Sequence, residues 1–421
     1  MGFFIIMPRV VGVGAGGLRS ATKIVAASNS LDKSRADYVC DGTADQEEIN
    51  TAIAALGAAG GVVLLLEGAY SITGSINLAS NVALVGQGPG TVLRIPDGFN
   101  ADLNVIYGSS VSGVLVENLR IDGNKANQGA GSMNGIYLSS ATYSEVRGCW
   151  VENMTNHGIC LFYYSNTNTV AGNTCRGNGN CGIYLYASSN NVVAANSCRG
   201  NGYGIYFDHS DNNVVVANSC RGNSSHGIFF FTGGNSTIAG NSCWENGNGI
   251  SLRYAGSNIV SGNSCHGNGN GIYLYDSDNN TFSGNSCCGN SSHGIHLHSS
   301  CGYNTFSGNS CCGNGSHGIY LESSCNNNIF AGNSVLGNSK SSDNSYDGIH
   351  AYWFCHYNLI SGNIVRHQDS QRYGINISHS NSNGNLVHGN DLYQAGKTAD
   401  FNDAGTGTIY HNNRTSAGWV P

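Results

Sequence analysis

Apolar residues along this chain fall in short β-prone runs, such as Gly182–Tyr186 and Asn191–Ala195, separated by clusters of Gly, Asn and Ser. Alternation with a period of two marks each run as a strand, and the Gly/Asn/Ser clusters mark turns. The pattern repeats. A Gly-Ile pair occurs at Gly135, Gly158, Gly182, Gly204, Gly227, Gly249, Gly271, Gly294 and Gly318 at intervals of 22–24 residues, and again at Gly348 and Gly374 after longer gaps of 30 and 26. A repeat of this length signals a solenoid, and it is too short for a propeller blade. No helical period interrupts the region from Gly135 to Gly389, which disfavours repeats built on helices. The expected architecture is all-β: a single-stranded right-handed parallel β-helix of about a dozen 22–24-residue coils.

The strand period gives the residues directions. The Ile of each Gly-Ile pair points inward, as does the residue two further on (Leu138, Leu161, Leu185, Phe207, Phe230 and Leu252 among them). Asparagine forms two registers, one from Asn173 through Asn196 and Asn218 to Asn390, the other five residues earlier from Asn168 to Asn385. Asn tolerates the left-handed backbone of a tight turn and bonds its own copy one coil away, so these are read as corners. An open solenoid end exposes apolar core and unpaired backbone and so needs a cap. Asp45-Gln-Glu-Glu48 reads as a capping box before a helix over Ile49–Leu56, stopped by Gly57, with strands following near Val62–Leu66, Val82–Val85 and Thr91–Ile95. The boundaries read as an N-terminal extension over 1–35, the capping helix and first coils over 36–100, the repeat body over 101–392, and a C-terminal coil and cap over 393–421. Residues 1–17 are apolar, but Arg9 follows the Phe3–Met7 run instead of preceding it, so they read as a strand and not as a secretory signal.

Composition narrows the function. Charged residues are 10% of the chain and the net charge is −7, which argues against a nucleic-acid partner. No apolar run approaches the ~20 residues of a membrane-spanning helix. There are 16 cysteines. Seven share one register (Cys175, Cys198, Cys220, Cys243, Cys265, Cys287 and Cys311), which holds Val151, Val335, Val365 and Leu392 in flanking coils, so they read as inward packing groups. Cys288 and Cys312 follow that register directly and should point outward, while Cys301, Cys325 and Cys355 share another register. These five are the disulfide candidates, pairing between coils or between chains in an oxidising setting. No two-Cys-two-His spacing suggests zinc, and no metal is expected.

The segment Ala36–Ile53, the runs Gly60–Gly68 and Asn81–Gly90, the Gly-Asn-Ser repeats and the ending Gly405–Asn413 resemble the pectate-lyase-like superfamily and its right-handed β-helix repeat proteins. The resemblance covers roughly residues 36–413 and implies the fold. It leaves polysaccharide lyases, glycoside hydrolases, uronan epimerases, phage tailspikes and non-catalytic surface proteins all open. In such proteins the outward face of the Gly-Ile strand binds polysaccharide. Here that face carries Tyr273, His296, Tyr320 and His350 in one column and Tyr275, His298, Glu322 and Tyr352 in the next. The aromatic rings are candidates for substrate binding, with His298 and Glu322 as candidate acid and base. Carboxylate pairs are sparse. Asp208 and Asp211 in one loop are a candidate calcium pair, should the protein be a lyase, and Asp276 and Asp278 lie three coils away. His157, His226, His293 and His317 precede Gly and read as turn residues; sequons at Asn153, Asn223, Asn290 and Asn314 read as chance in so Asn-rich a chain.

Uniform coils and the lack of a complete catalytic set favour a non-catalytic structural protein of a cell envelope, sheath, fibre or virion surface, self-associating through its faces and locked by outer cysteines. The alternative is a carbohydrate-active β-helix (lyase, epimerase or tailspike-like depolymerase). Either reading places the protein outside the cell, at a cell surface or on a virion.

Overall fold

A computed structural model describes residues 22–368 and 370–420, so the reading of residues 1–17 as a strand lies outside the described residues. The chain winds into a right-handed parallel β-solenoid of about 15 turns, a few more than the repeat count alone suggested. Each coil contributes a strand to three sheets in a fixed order, as in Cys181–Tyr186, Val192–Ala194 and Ser197–Arg199. Among the described residues sheet 1, which carries the Gly-Ile pairs, has 14 strands, and sheets 2 and 3 have 17 and 13. Their pairings are parallel and in register coil after coil, so that Ile183 lies beside Ile205 and Cys198 beside Cys220.

The inward columns form one continuous core. The Gly-Ile isoleucines and their partners two residues on are fully buried from Ile183 to Leu321. Equivalent rings stack on each other: Phe282 on Phe306 at 4.6 Å and Phe306 on Phe330 at 4.8 Å, nearly parallel. The glycine of the pair is required by the same closeness. A Cβ on Gly249 would lie 2.5 Å from the carbonyl oxygen of Gly271 in the next coil.

Corners are built from asparagine, with one difference from expectation. The residue in the left-handed region is the one before the ladder asparagine, for instance Asn190 (φ 60°) before Asn191 and Ala195 (φ 54°) before Asn196. The turn thereby aims the ladder side chain inward. There Asn241 donates from Nδ2 to the Val215 carbonyl (2.9 Å) and to Asn263 Oδ1 (3.0 Å), and that Oδ1 also accepts the Asn241 backbone N–H (2.9 Å). A third ladder, Asn178, Asn201, Asn223, Asn246, Asn268, Asn290, Asn314 and Asn338, closes the corner between sheets 3 and 1 in the same way. Three of the sequon asparagines, Asn223, Asn290 and Asn314, are thus buried corner residues.

At the N-terminal end the helix α1 (Gln46–Ala54) buries Ile49, Ala52 and Ile53 against the first coil. The expected capping box does not form. The Asp45 carboxylate turns away from the helix to accept the backbone N–H groups of Gly42 (2.8 Å) and Ser71 (2.7 Å), tying the helix entrance to the neighbouring strand. Winding also begins earlier than residue 36, because Thr22–Ala26 already pairs with Gly61–Leu65 and with Tyr38–Val39. The far end is closed by an antiparallel pair, Asn413–Thr415 with Gly418–Val420, and by Phe401 stacked on Tyr410 at 4.0 Å.

All 16 cysteines are among the described residues. Cys288 and Cys312 face outward and are joined to each other within the chain. The other fourteen are free and buried. Cys301, Cys325 and Cys355 are therefore not outer cross-linking groups. They continue an inward corner column whose other members are small (Ala141, Ser165, Ser188, Ser210, Ala255 and Ser277), and Cys325 and Cys355 donate their thiols to the carbonyls of Glu322 and Tyr352. No exposed free thiol remains to lock one chain to another.

Candidate functional site

The outward face of sheet 1 changes character along the solenoid. The strands Asn270–Tyr275, Ile295–His298, Ile319–Glu322, Ile349–Tyr352 and Tyr373–Ile377 pair in order, which sets Tyr273, His296, Tyr320, His350 and Asn376 in one column and Tyr275, His298, Glu322 and Tyr352 in the next. Rings follow each other up the first column at 5.2, 4.9 and 5.3 Å. Arg253, exposed and lying over Tyr275 at 4.8 Å, adds a cation at the near end.

Bonds across this face run diagonally between the columns. His298 and Glu322 are register neighbours. It is His296, however, whose Nε2 reaches Glu322 Oε2 (3.2 Å), while His298 Nδ1 meets the Tyr273 hydroxyl (3.0 Å). Burial holds His296 below the usual histidine range against the pull of Glu322, and the hydrogen bond from His296 holds Glu322 below the usual carboxylate range. Near neutral pH this is a neutral imidazole donating to a carboxylate. Burial pushes the Tyr273 phenol up to about 12, so it stays protonated in its contact with His298 Nδ1.

Beyond Tyr320 the long coil brings in residues that the repeat did not flag. His350 is buried, contrary to its expected outward exposure. Its Nε2 meets Ser378 Oγ (2.6 Å) and its Nδ1 lies 3.2 Å from His317 Nε2 and 3.1 Å from Asp347 Oδ2. His317, read as a turn residue, packs parallel to His293 at 5.3 Å and edge-on to Tyr346 of the inserted segment at 5.1 Å. Fully buried Asp347 accepts both Arg372 Nε (2.9 Å) and Nη2 (2.8 Å), the Asn376 amide (2.9 Å) and the Tyr373 N–H (3.2 Å). Burial alone would raise its carboxyl, but the bonds from His350 and Arg372 outweigh it and hold the group well below the usual range. Only the departure from the 22–24 spacing pointed here.

The acidic pairs do not assemble a cation site. Asp208 binds the Tyr184 hydroxyl (3.1 Å) and His209 (2.6 Å), whereas Asp211 accepts the Gly234 N–H (2.6 Å) and Asp278 the Gly302 N–H (2.6 Å). Among the described residues two groups do gather three ligating side chains, His317/Asp347/His350 and Cys40/Asp45/Glu48.

A family profile described as periplasmic copper-binding protein (NosD) matches residues 70–242 and 182–353. Imidazole and carboxylate donors suit Cu(II), and thiolates suit Cu(I). As placed, however, the residues do not fit copper. The Asp347 oxygens are taken by a guanidinium, and His317 Nδ1 already accepts the Asp347 N–H (2.8 Å). The free thiols are closed inside the core, where burial pushes groups such as Cys149 and Cys160 up and keeps them protonated. In the second group Asp45 is occupied by two backbone N–H groups, and burial likewise raises Cys40.

Solved structures share the fold at low identity. They include the A-module of mannuronan C-5 epimerase AlgE6 from Azotobacter vinelandii (19% identity over 89% of this chain and 94% of that one, TM-score 0.53). A mutant of the periplasmic alginate epimerase AlgG matches at 20% over 66% and 74% (TM-score 0.52). Pre-mature gene product 12 of bacteriophage phi29 matches at 14% over 89% and 56% (TM-score 0.65). Comparison with curated proteins gives no match. Among the described residues no helix is long and apolar enough to cross a membrane. The two overlapping profile matches together span residues 70–353, well over half of the chain, and on that ground the protein belongs to the family described as periplasmic copper-binding protein (NosD).

Proposed function

We propose that the protein is a carbohydrate-active β-helix that works outside the cytoplasm, and that the sheet 1 face from Arg253 to Tyr352 binds an acidic polysaccharide and moves protons on it. The observation that carries this reading is the crossed pairing of Tyr273 with His298 and His296 with Glu322 on a half-buried aromatic strip. Tyr and His rings supply flat platforms for sugar faces, and Arg253 offers a counter-charge for a uronate carboxylate. His298, held at Nδ1 by the Tyr273 hydroxyl, presents Nε2 to the bound sugar as the group that exchanges a proton with it. Glu322 orients His296, and the Asp347–Arg372 pair braces His350 beneath the strip. No copper or calcium step enters this reading.

Oligouronates are the substrates to test, with chain cleavage and C-5 inversion followed by proton NMR. His298→Ala and Glu322→Ala should each lower turnover at least a hundredfold while leaving the melting temperature within a few degrees. Unchanged turnover in both variants would sink the assignment.

A structural surface role is the second reading. It is favoured by the exposed aromatics Trp353, Phe354 and Tyr357 at one corner, which suit lateral contact between copies. Thiol locking is no part of it, since the outer cysteines pair within the chain.

A further inference from the structure

Sheet 3 presents a different surface. In one outward column Arg176, Arg199 and Arg221 stand in register on three successive strands; in the column beside them stand Thr174, Ser197 and Ser219. Trp150 lies one strand before this track and Trp244 one strand after it. Neighbouring strands are ~4.8 Å apart, so like charges stacked this way repel unless something answers them. Within the chain the answer is incomplete. Glu152 takes both Arg120 (2.5 Å) and Arg176 (2.6 Å), and Glu245 takes Arg221 (2.9 Å), whose guanidinium also lies 4.1 Å over Trp244. Arg199, exposed between two other arginines, has no acidic partner among the described residues. An open cavity of about 460 Å³ lies over this stretch, lined by Trp150, Glu152, Thr174, Arg176, Ser197 and Arg199 among others.

We propose that this track is a second binding site, for an acidic polysaccharide chain lying along the solenoid axis. Arg199 and its neighbours meet the carboxylates, the hydroxyl column bonds the sugar hydroxyls, and Trp150 offers a flat face for one ring. From the Trp150 strand to the Trp244 strand is four steps, roughly 19 Å, which is room for a few sugars carrying one charge each. A nucleic acid is the poorer occupant: its denser charge would have to approach a protein of net charge −7 whose arginines here are half-compensated. The site does not depend on the proton-transfer reading, because it lies on another sheet and uses none of the same side chains.

The test is affinity electrophoresis of the full chain in gels containing polygalacturonate, at low and at high salt. Arg199→Glu should weaken retention at least tenfold, and Arg35→Glu, an equal charge change at an exposed site outside the track, should leave it unchanged. Both variants leave the sheet 1 face intact, so a loss confined to Arg199→Glu belongs to this track and not to that face. Retention should also fall with salt. Wild-type protein that is not retained, or Arg199→Glu protein retained like the wild type, would overturn the proposal. Arg199-dependent retention as strong on carboxyl-reduced polymer, or stronger on single-stranded DNA, would overturn the ligand class.

Discussion

The coils between Cys175 and Asn290 and those between Gly318 and Gly374 share a fold but follow different rules. In the first region almost every inward position repeats its neighbour: Cys on Cys, Ile on Ile, Asn on Asn. The ladder accounts for these residues without reference to any partner molecule. In the second region the coil lengthens, and the position before Gly, held by histidine one coil earlier, becomes Asp347, fully buried and meeting Arg372, His350 and Asn376. Burying a carboxylate is costly, and a ladder does not need one. A solenoid that departs from its cheapest solution at one place marks that place as serving something other than its own winding.

That contrast makes its largest prediction at Asp347. Asp347→Ala strands a guanidinium and two histidines and should cost about 3–5 kcal/mol of stability in urea unfolding; a loss of under 1 kcal/mol would mean the broken coils are as indifferent to their charges as an exposed surface. In the regular region Asn241→Ala removes four side-chain hydrogen bonds and leaves neighbouring ladder groups without partners. It should cost about 2–4 kcal/mol by the same measurement. A smaller loss would show that the ladder is decoration and the apolar columns carry the coil.

The third prediction concerns pH and tests the regular coils, through His226, and the turns on either side of them. Burial lowers His157 and His226 to about 4, and burial, with His296 beside it, lowers His293 to about 3. In the unfolded chain these groups titrate near ~6.5. Below that value the unfolded state takes up protons that the folded state refuses, so stability present above about pH 6.5 should drain away as pH falls towards the folded values. His226→Asn installs the residue that the next coil carries at the same register, Asn248, and should flatten this slope slightly. An unaltered slope would exclude His226 as a contributor.

The fold was readable because a repeat exposes its own directions: Ile after Gly is inward in every coil, and one correct register fixes the rest. The errors arose where a residue was judged by its offset from glycine alone. Cys301 sits seven positions after Gly294, yet the corner before the ladder asparagine turns it inward to the place that Ser277 and Ser188 fill elsewhere. The third asparagine ladder was hidden because Asn223, Asn290 and Asn314 also spell sequons. His298 and Glu322 were rightly placed side by side, but a side chain two residues off, His296, reaches the carboxylate first, and register alone cannot show a diagonal contact. Asp347 stands directly before Gly348, in the register of His293 and His317, but position alone showed neither its burial nor its pairing with Arg372 of the following coil.

The stacked core thiols have one more consequence. From Cys175 to Cys311 seven successive coils each hold one such thiol at the same depth, sealed from water. A membrane-permeant alkylating reagent applied in brief pulses would reach each of them only when its own coil opens. The protein thus carries a ruler along its axis, graduated in coils, on which the order of fraying can be read by peptide mass.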